Sequence, residues 1–573
     1  MNRREALSLG LMLSAAGAAS VVRADATRNQ THVDPIAREL DSFILRYCKE
    51  MNAPGLILGI ADVNGLMRSS SYGYSDVAAK TPPSRAQLFE IGSITKSFVA
   101  LLILQLHESG KVDIHSPIRR YLPWLSMETD FGEILIHHLL THSSGMPADA
   151  PLFPRSADWR PRQAFAPGTQ FHYCNWGYDV LGRLIEYVEG RAWADVLTER
   201  ILTPLEMRQT VATITSQTRS RIVQSYVALH DDRPYPRHGP LVPAGNLTVV
   251  FAAGSIASTA DDMGLYLQML LNRGRTSTGP LISEESFTLF SSPHIPAPLF
   301  GSAASYGYGI VVDQLEGRTR LRHTGGAVSF ASSLQADLDS GFGAFSSINA
   351  DLGYRPEPIT EYTLRLLHAQ AHRARLPEPP TIDATGQVVN GTDYVGVFRK
   401  PDGTQIEVKE GHGRSLVLIA DGVTGGLQPL GGDLFLAEHP AFALFPLVFG
   451  RDSADSAANP APVTDLSYGA DWYVNPQYHG PGPQPDSAAF ERYVGTYYAE
   501  NPWYDTTHIV QRQGQLYMGG DTLLVPIGDR RFRIGRDSSS PELIEFADVV
   551  EGHANTLRFW GVDMRRIADD RRR

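Results

Sequence analysis

Cysteine is almost missing from this chain: Cys48 and Cys174 are the two in 573 residues, so no disulfide framework holds it together. A single 48–174 bridge is the most the count permits, and it is not expected. Basic side chains are also in the minority. The 51 Lys and Arg stand against 62 Asp and Glu, a net charge of −11 with a pI near 5.9. That balance excludes nucleic acid and anionic membrane surfaces as natural partners. After the first 26 residues no apolar run approaches the length of a membrane span. A zinc-protease signature is lacking too. His138 and His142 are four apart on an expected helix, but Leu139 stands where that pattern needs its glutamate, and no third ligand is evident. These histidines are read as structural, and neither a metal nor an organic cofactor is expected.

Apolar residues make up 42% of the chain, ample for packed cores, and the length implies several domains. Residues Met1–Ala26 carry Arg3-Arg4, an apolar run from Leu7 to Ala19 and a small-x-small site at Ala24-Asp25-Ala26. This predicts an export signal of the twin-arginine type, cleaved near Ala26, and a periplasmic or secreted protein.

A helix is expected over Pro35–Met51. A hairpin follows, with Asn64-Gly65 between the strand-like runs Gly55–Val63 and Leu66–Tyr74. A third strand near Gln87–Ile91 leads to Gly92-Ser93, read as the start of a helix capped by the serine and stopped at Gly110. From Phe98 to Leu106 that helix is apolar on nearly every face, so it should be buried. A lysine at its start then needs a reason. Three residues from Ser93 on one helix face, the Lys96 amine can reach the serine hydroxyl and take its proton if it is neutral. Working near pH 7 requires its charged form to be destabilised by about 4 kcal/mol, which burial and nearby cations can supply. The competing reading is a capping serine followed by a lysine whose head group reaches solvent.

Two later stretches could serve the same chemistry. In Phe165–Gly182, Tyr173 can relay a proton and Asn175 can both donate to and accept from a bound amide; alternatively they are a satisfied buried phenol and a turn residue. Residues 149–163 read as an irregular loop with Phe153, Arg155, Trp159 and Arg160 available to face a substrate. Gly254–Gly274 reads as a helix capped near Ser258, Thr259 or Asp261. In the strand-like run Leu321–Leu334, His323-Thr324-Gly325-Gly326 places two glycines where backbone must approach something closely. A strand N–H there can stabilise an oxyanion; an edge bulge is the alternative.

Ser93-x-x-Lys96, Tyr173-x-Asn175 and His323-Thr324-Gly325 resemble, in order, the three motifs of the penicillin-recognising serine hydrolases, on the class C β-lactamase branch. LLTHSSGMP, PGTQFHYCNWGYDVLG, PLEM and GSIASTADDM strengthen the resemblance, which covers roughly residues 35–370. It implies an α+β fold, an antiparallel sheet flanked by helices, and an acyl-enzyme mechanism. Ser93 would attack a carbonyl, Lys96 and Tyr173 would share the proton transfers, and Asn175 would orient the lysine and the substrate. The N–H groups of Ser93 and Gly326 would bind the oxyanion, with His323 lining the cleft. His323 is also a departure: many members carry Lys-Thr-Gly here, and its cation holds a substrate carboxylate. A histidine fits the esterases and aminopeptidases of the fold better.

Beyond the hydrolase domain (30–370) and a linker (371–390) the pattern changes. Tyr394-Val-Gly-Val-Phe398 returns as Tyr493-Val-Gly-Thr-Tyr497, 99 residues on, with short alternating strands between. Unless the motif recurs by chance, this predicts two related antiparallel β-barrels of lipocalin type, over 391–480 and 488–573. That architecture is similar to the bacterial D-aminopeptidases, in which a barrel loop restricts the site; Pro440–Pro460 is the stretch expected to do so here. The reading is an exported serine hydrolase acting on a small peptide, including short linear peptides from cyclic ones, or on an amino-acid amide. A carboxylesterase and a slowly deacylating β-lactam sensor are the alternatives. Homo-oligomerisation is left open.

Overall fold

The computed structural model describes residues 35–150, 160–230, 232–234, 239–245, 247–351, 353–382, 388, 390–451, 461–501, 503 and 505–567. The leader read at Met1–Ala26 and Phe153, Arg155 and Trp159 lie outside these residues.

Helix α1 (Pro35–Met51) leads into strands β1 (Gly55–Asp62) and β2 (Gly65–Gly73). The hairpin turn is Val63-Asn64, one residue earlier than its Asn-Gly signal suggests, because Gly65 already pairs with Asp62. Asp62 Oδ1 holds the turn by accepting from the N–H groups of Asn64 (2.7 Å) and Gly65 (3.1 Å). The strand expected near Gln87–Ile91 shortens to Phe89–Glu90 and pairs with Ala257–Ser258, outside the main sheet. Gly92, at φ +52°, then turns the chain toward helix α2 (Thr95–Glu108). Every residue from Phe98 to Leu104 is fully buried, as the unbroken apolar run requires.

Helices α3 (Asn175–Glu189) and α4 (Ala260–Leu271) follow, the latter capped by the Thr259 hydroxyl accepting from Asp262 N–H. Then come β3 (Ile295–Pro296), β4 (Ser305–Tyr306), β5 (Val311–Leu315), β6 (Arg318–Ala327), β7 (Phe330–Asp337), β8 (Phe342–Ile348) and α5 (Glu357–Ala371). One eight-stranded antiparallel sheet results, in the order β2-β1-β8-β7-β6-β5-β4-β3. Both faces are covered. On β1, Ile57 and Ala61 join the core that contains α2, α3 and α4, while Leu56, Leu58 and Ile60 join the core under α1 and α5. This alternation explains why β1 is apolar at nearly every position. Gly59 has no side chain because a Cβ there would lie 2.4 Å from the Ala260 carbonyl oxygen, at the start of α4.

The C-terminal part forms two closed eight-stranded antiparallel barrels. The first runs from Gly396–Arg399 to Asp471–Val474 and closes through Arg399 and Val474; the second runs from Gly495–Tyr498 to Val562–Ile567 and closes through Thr496 and Ile567. Each has its own apolar core, and the repeated tyrosines, Tyr394 and Tyr493, are buried at corresponding places in the two. No described helix is long and apolar enough to cross a membrane.

Candidate active site

Ser93 lies in a 3-10 turn, Gly92–Ile94, immediately before α2. It does not cap that helix: no side-chain cap bond forms there, and its Oγ instead accepts a 2.9 Å hydrogen bond from Lys96 Nζ. The same ammonium group donates to Asn175 Oδ1 (2.7 Å) and to the Ala253 carbonyl (2.8 Å). Lys96 is fully buried, which rules out the solvent-seeking reading. Burial pulls its pKa down to about 7, opposed by Asp179, Cys174 and Asp149. The Tyr173 ring centroid stands 4.9 Å from Lys96 Nζ. Burial pushes the Tyr173 phenol above its usual range, and a hydrogen bond with Ser93 pulls the other way.

Asn175 is held by its position. It opens α3, and its N–H donates 2.7 Å to the Ala148 carbonyl. The cap of α3 is Cys174, whose Sγ accepts from Gly177 N–H (3.1 Å) and donates to the Pro147 carbonyl (3.0 Å). A thiol is not a preferred cap, so residue preference gave no signal for this role. Both cysteines are free.

Across the cleft, β6 pairs with β5 only as far as Arg322, which leaves the stretch 323–327 with one free edge. The two glycines do mark a close approach, and what approaches is the protein's own backbone. A Cβ on Gly325 would lie 1.9 Å from the Ile91 carbonyl oxygen, and one on Gly92 2.6 Å from that of Gly326. This contact sets Ser93 beside Gly326, whose outer face is exposed. Ser93, Lys96, Tyr173, Asn175, His323 and Gly326 therefore converge on one cleft.

Residues 40–369 match the beta-lactamase family. The chain belongs to that family. This gives residues 40–369 the β-lactamase fold. It is 23% identical over 371 residues to penicillin-binding protein 4 of Amycolatopsis lactamdurans, across 62% of this chain and 95% of that protein. It is 27% identical over 253 residues to protein flp of Staphylococcus aureus strain MW2, across 41% of this chain and 49% of that one. The chain thus spans about half the length of protein flp. The octameric penicillin-binding protein homologue from Pyrococcus abyssi shares the fold, with a TM-score of 0.55 and 23% identity over 77% of this chain and 98% of its own.

Within this β-lactamase-fold cleft, His323 is buried and hydrogen-bonded at both ring nitrogens. Its Nδ1–H donates to the Thr324 carbonyl (2.6 Å), and in the neutral ring Nε2 accepts from the Tyr306 hydroxyl (2.9 Å). Burial and the nearby Lys96 push its pKa down to about 3. The neighbouring cation is occupied: Arg322 is paired with Asp313 at 2.7 Å and also donates to the Phe300 carbonyl. Phe300 stands 6.1 Å from the Tyr173 ring and 5.8 Å from the His323 ring, so this end of the cleft is aromatic and uncharged.

His142 is not on a helix face with His138, because that helix ends at Leu140 and His142 sits at φ +56°. It is a buried structural group. Its Nδ1 accepts from Cys174 N–H at 3.0 Å, and its ring lies 4.3 Å from that of Tyr173.

Of Pro440–Pro460, the stretch expected to reach the site, residues 452–460 lie outside the described residues, and among the described residues it is the second barrel that comes beside the site. Described residues 440–445 of the first barrel pack elsewhere: Phe442 and Ala443 line a pocket with Leu229, His230 and Arg233, and Phe445 meets His508 of the second barrel. Glu542, beside the second-barrel strand Leu543–Val550, instead accepts from Ala148 N–H (2.8 Å), His172 Nε2 (2.6 Å) and Trp560 Nε1–H. Arg160 lines the adjoining cleft with Trp560. Since Ala148 also receives the Asn175 N–H, Glu542 is one residue removed from the α3 start. Glu542→Ala is expected to cost about 2–3 kcal/mol in thermal unfolding and to expose the second barrel to limited proteolysis. An unchanged Tm and cleavage pattern would show that the contact is incidental.

Proposed function

We propose that this chain is an exported serine hydrolase acting through an acyl-enzyme on peptides or amino-acid amides. One observation carries the reading: a buried lysine amine, brought near neutrality, is hydrogen-bonded to an accessible serine hydroxyl. Ser93 Oγ attacks the substrate carbonyl and passes its proton to neutral Lys96. Tyr173, whose burial keeps it protonated, serves as a proton carrier to the leaving group and not as the base. The N–H groups of Ser93 and Gly326 stabilise the oxyanion, and water then releases the acyl group. The uncharged environment of His323 supports substrates that present no carboxylate at that end. The same aromatic, uncharged wall favours a second reading, a carboxylesterase.

The test is kcat/KM on D- and L-alanine p-nitroanilide and on p-nitrophenyl butyrate. Anilide turnover with an enantiomer preference supports the amidase reading. Ester turnover alone makes the protein a carboxylesterase. A stable penicilloyl adduct with neither activity points to a β-lactam sensor and overturns both.

A further inference from the structure

Asp179 is an acid that the mechanism above does not use. It lies one turn after Asn175 on α3, so the two side chains share a helix face. Its Oδ1 accepts a 3.0 Å hydrogen bond from Ala253 N–H, and the Ala253 carbonyl accepts 2.8 Å from Lys96 Nζ. Helix α3 therefore holds the lysine twice, directly through Asn175 and indirectly through the Ala253 backbone. Resting on the reading of Lys96 as the base, we propose that Asp179 is a positioning residue for Lys96, fixing its carbonyl acceptor and countering the cost of its positive charge.

Electrostatics point the same way. Lys96 is faced by Ser93 from its own segment, and by Asn175, Tyr178 and Asp179 from α3. Tyr173, Cys174, Asp149 and His142 face it from the segments before α3, and His323 from β6. Among the acids, Asp179 raises the lysine pKa most. Burial and Asp149 lift the Asp179 carboxyl itself to about 7, against the Ala253 hydrogen bond, Lys96 and Arg183. A carboxyl left buried at such a cost, beside a base, has the signature of a tuned site.

The experiment compares pH profiles of kcat and kcat/KM for wild type, Asp179→Asn and Asp179→Ala on whichever chromogenic substrate is turned over. Asparagine keeps an acceptor for Ala253 and removes the charge. The acid limb of kcat/KM should then move down by about one pH unit with plateau kcat nearly unchanged. Alanine removes the brace as well, and kcat should fall about tenfold with KM little altered. An acid limb unmoved in Asp179→Asn, or a wild-type kcat in Asp179→Ala, overturns the proposal. A merely structural role would lower Tm in both variants and leave the limb in place. Lys96→Met is the control for the underlying reading: if it stays active, that reading fails whatever Asp179 does.

Discussion

Replacing Ser93 with alanine should lower kcat/KM on every substrate by at least about 10⁴-fold. The chemistry has no substitute for that oxygen, which is held 2.9 Å from Lys96 Nζ beside Gly326 at the cleft floor. The fold should not notice. Ser93 makes no helix-cap hydrogen bond, so the turn into α2 loses nothing when the hydroxyl goes. Lys96 keeps Asn175 and Ala253 as acceptors. Tm should therefore stay within about 2 °C of wild type. Turnover well above the buffer blank in a folded Ser93→Ala protein would remove Ser93 as the nucleophile.

Lys96→Met should lower kcat by about 10³-fold, the scale of a lost general base. The wild-type pH profile has a defined sign. Burial brings Lys96 down to about 7, and only its neutral form accepts the serine proton, so kcat/KM should rise with pH through about 7 and then level. The methionine variant should lose that acid limb. Lys96→Arg should not rescue activity, because a guanidinium stays charged and cannot serve as a base. A profile flat from pH 5 to 8 in the wild type would argue that another group takes the proton.

Much of this site was legible because its parts are local. Ser93 and Lys96 are three residues apart, and helical geometry alone brings them together. Tyr173 and Asn175 flank the start of one helix, and the fully apolar run after Lys96 announced a buried α2. The barrels were legible for a related reason: alternation and a 99-residue recurrence are properties of the chain itself. The errors were also local. Gly65 paired one residue early because Asp62 organised the turn. Ser93 did not cap, and Cys174 did, because each side chain met a partner that propensity does not record.

The sequence by itself determined the chemistry on offer, a serine, a lysine one turn on, a tyrosine and an asparagine, and the order of the folding units that carry them. Only the tertiary structure decided their charge states and supports. Burial and the nearby Lys96 push the His323 pKa down to about 3. Glu542 reaches Ala148 across 394 residues, and the Ala253 backbone bridges Asp179 to Lys96. Such contacts depend on how remote segments pack, and burial, which sets the cost of a charge, exists only once the chain has folded.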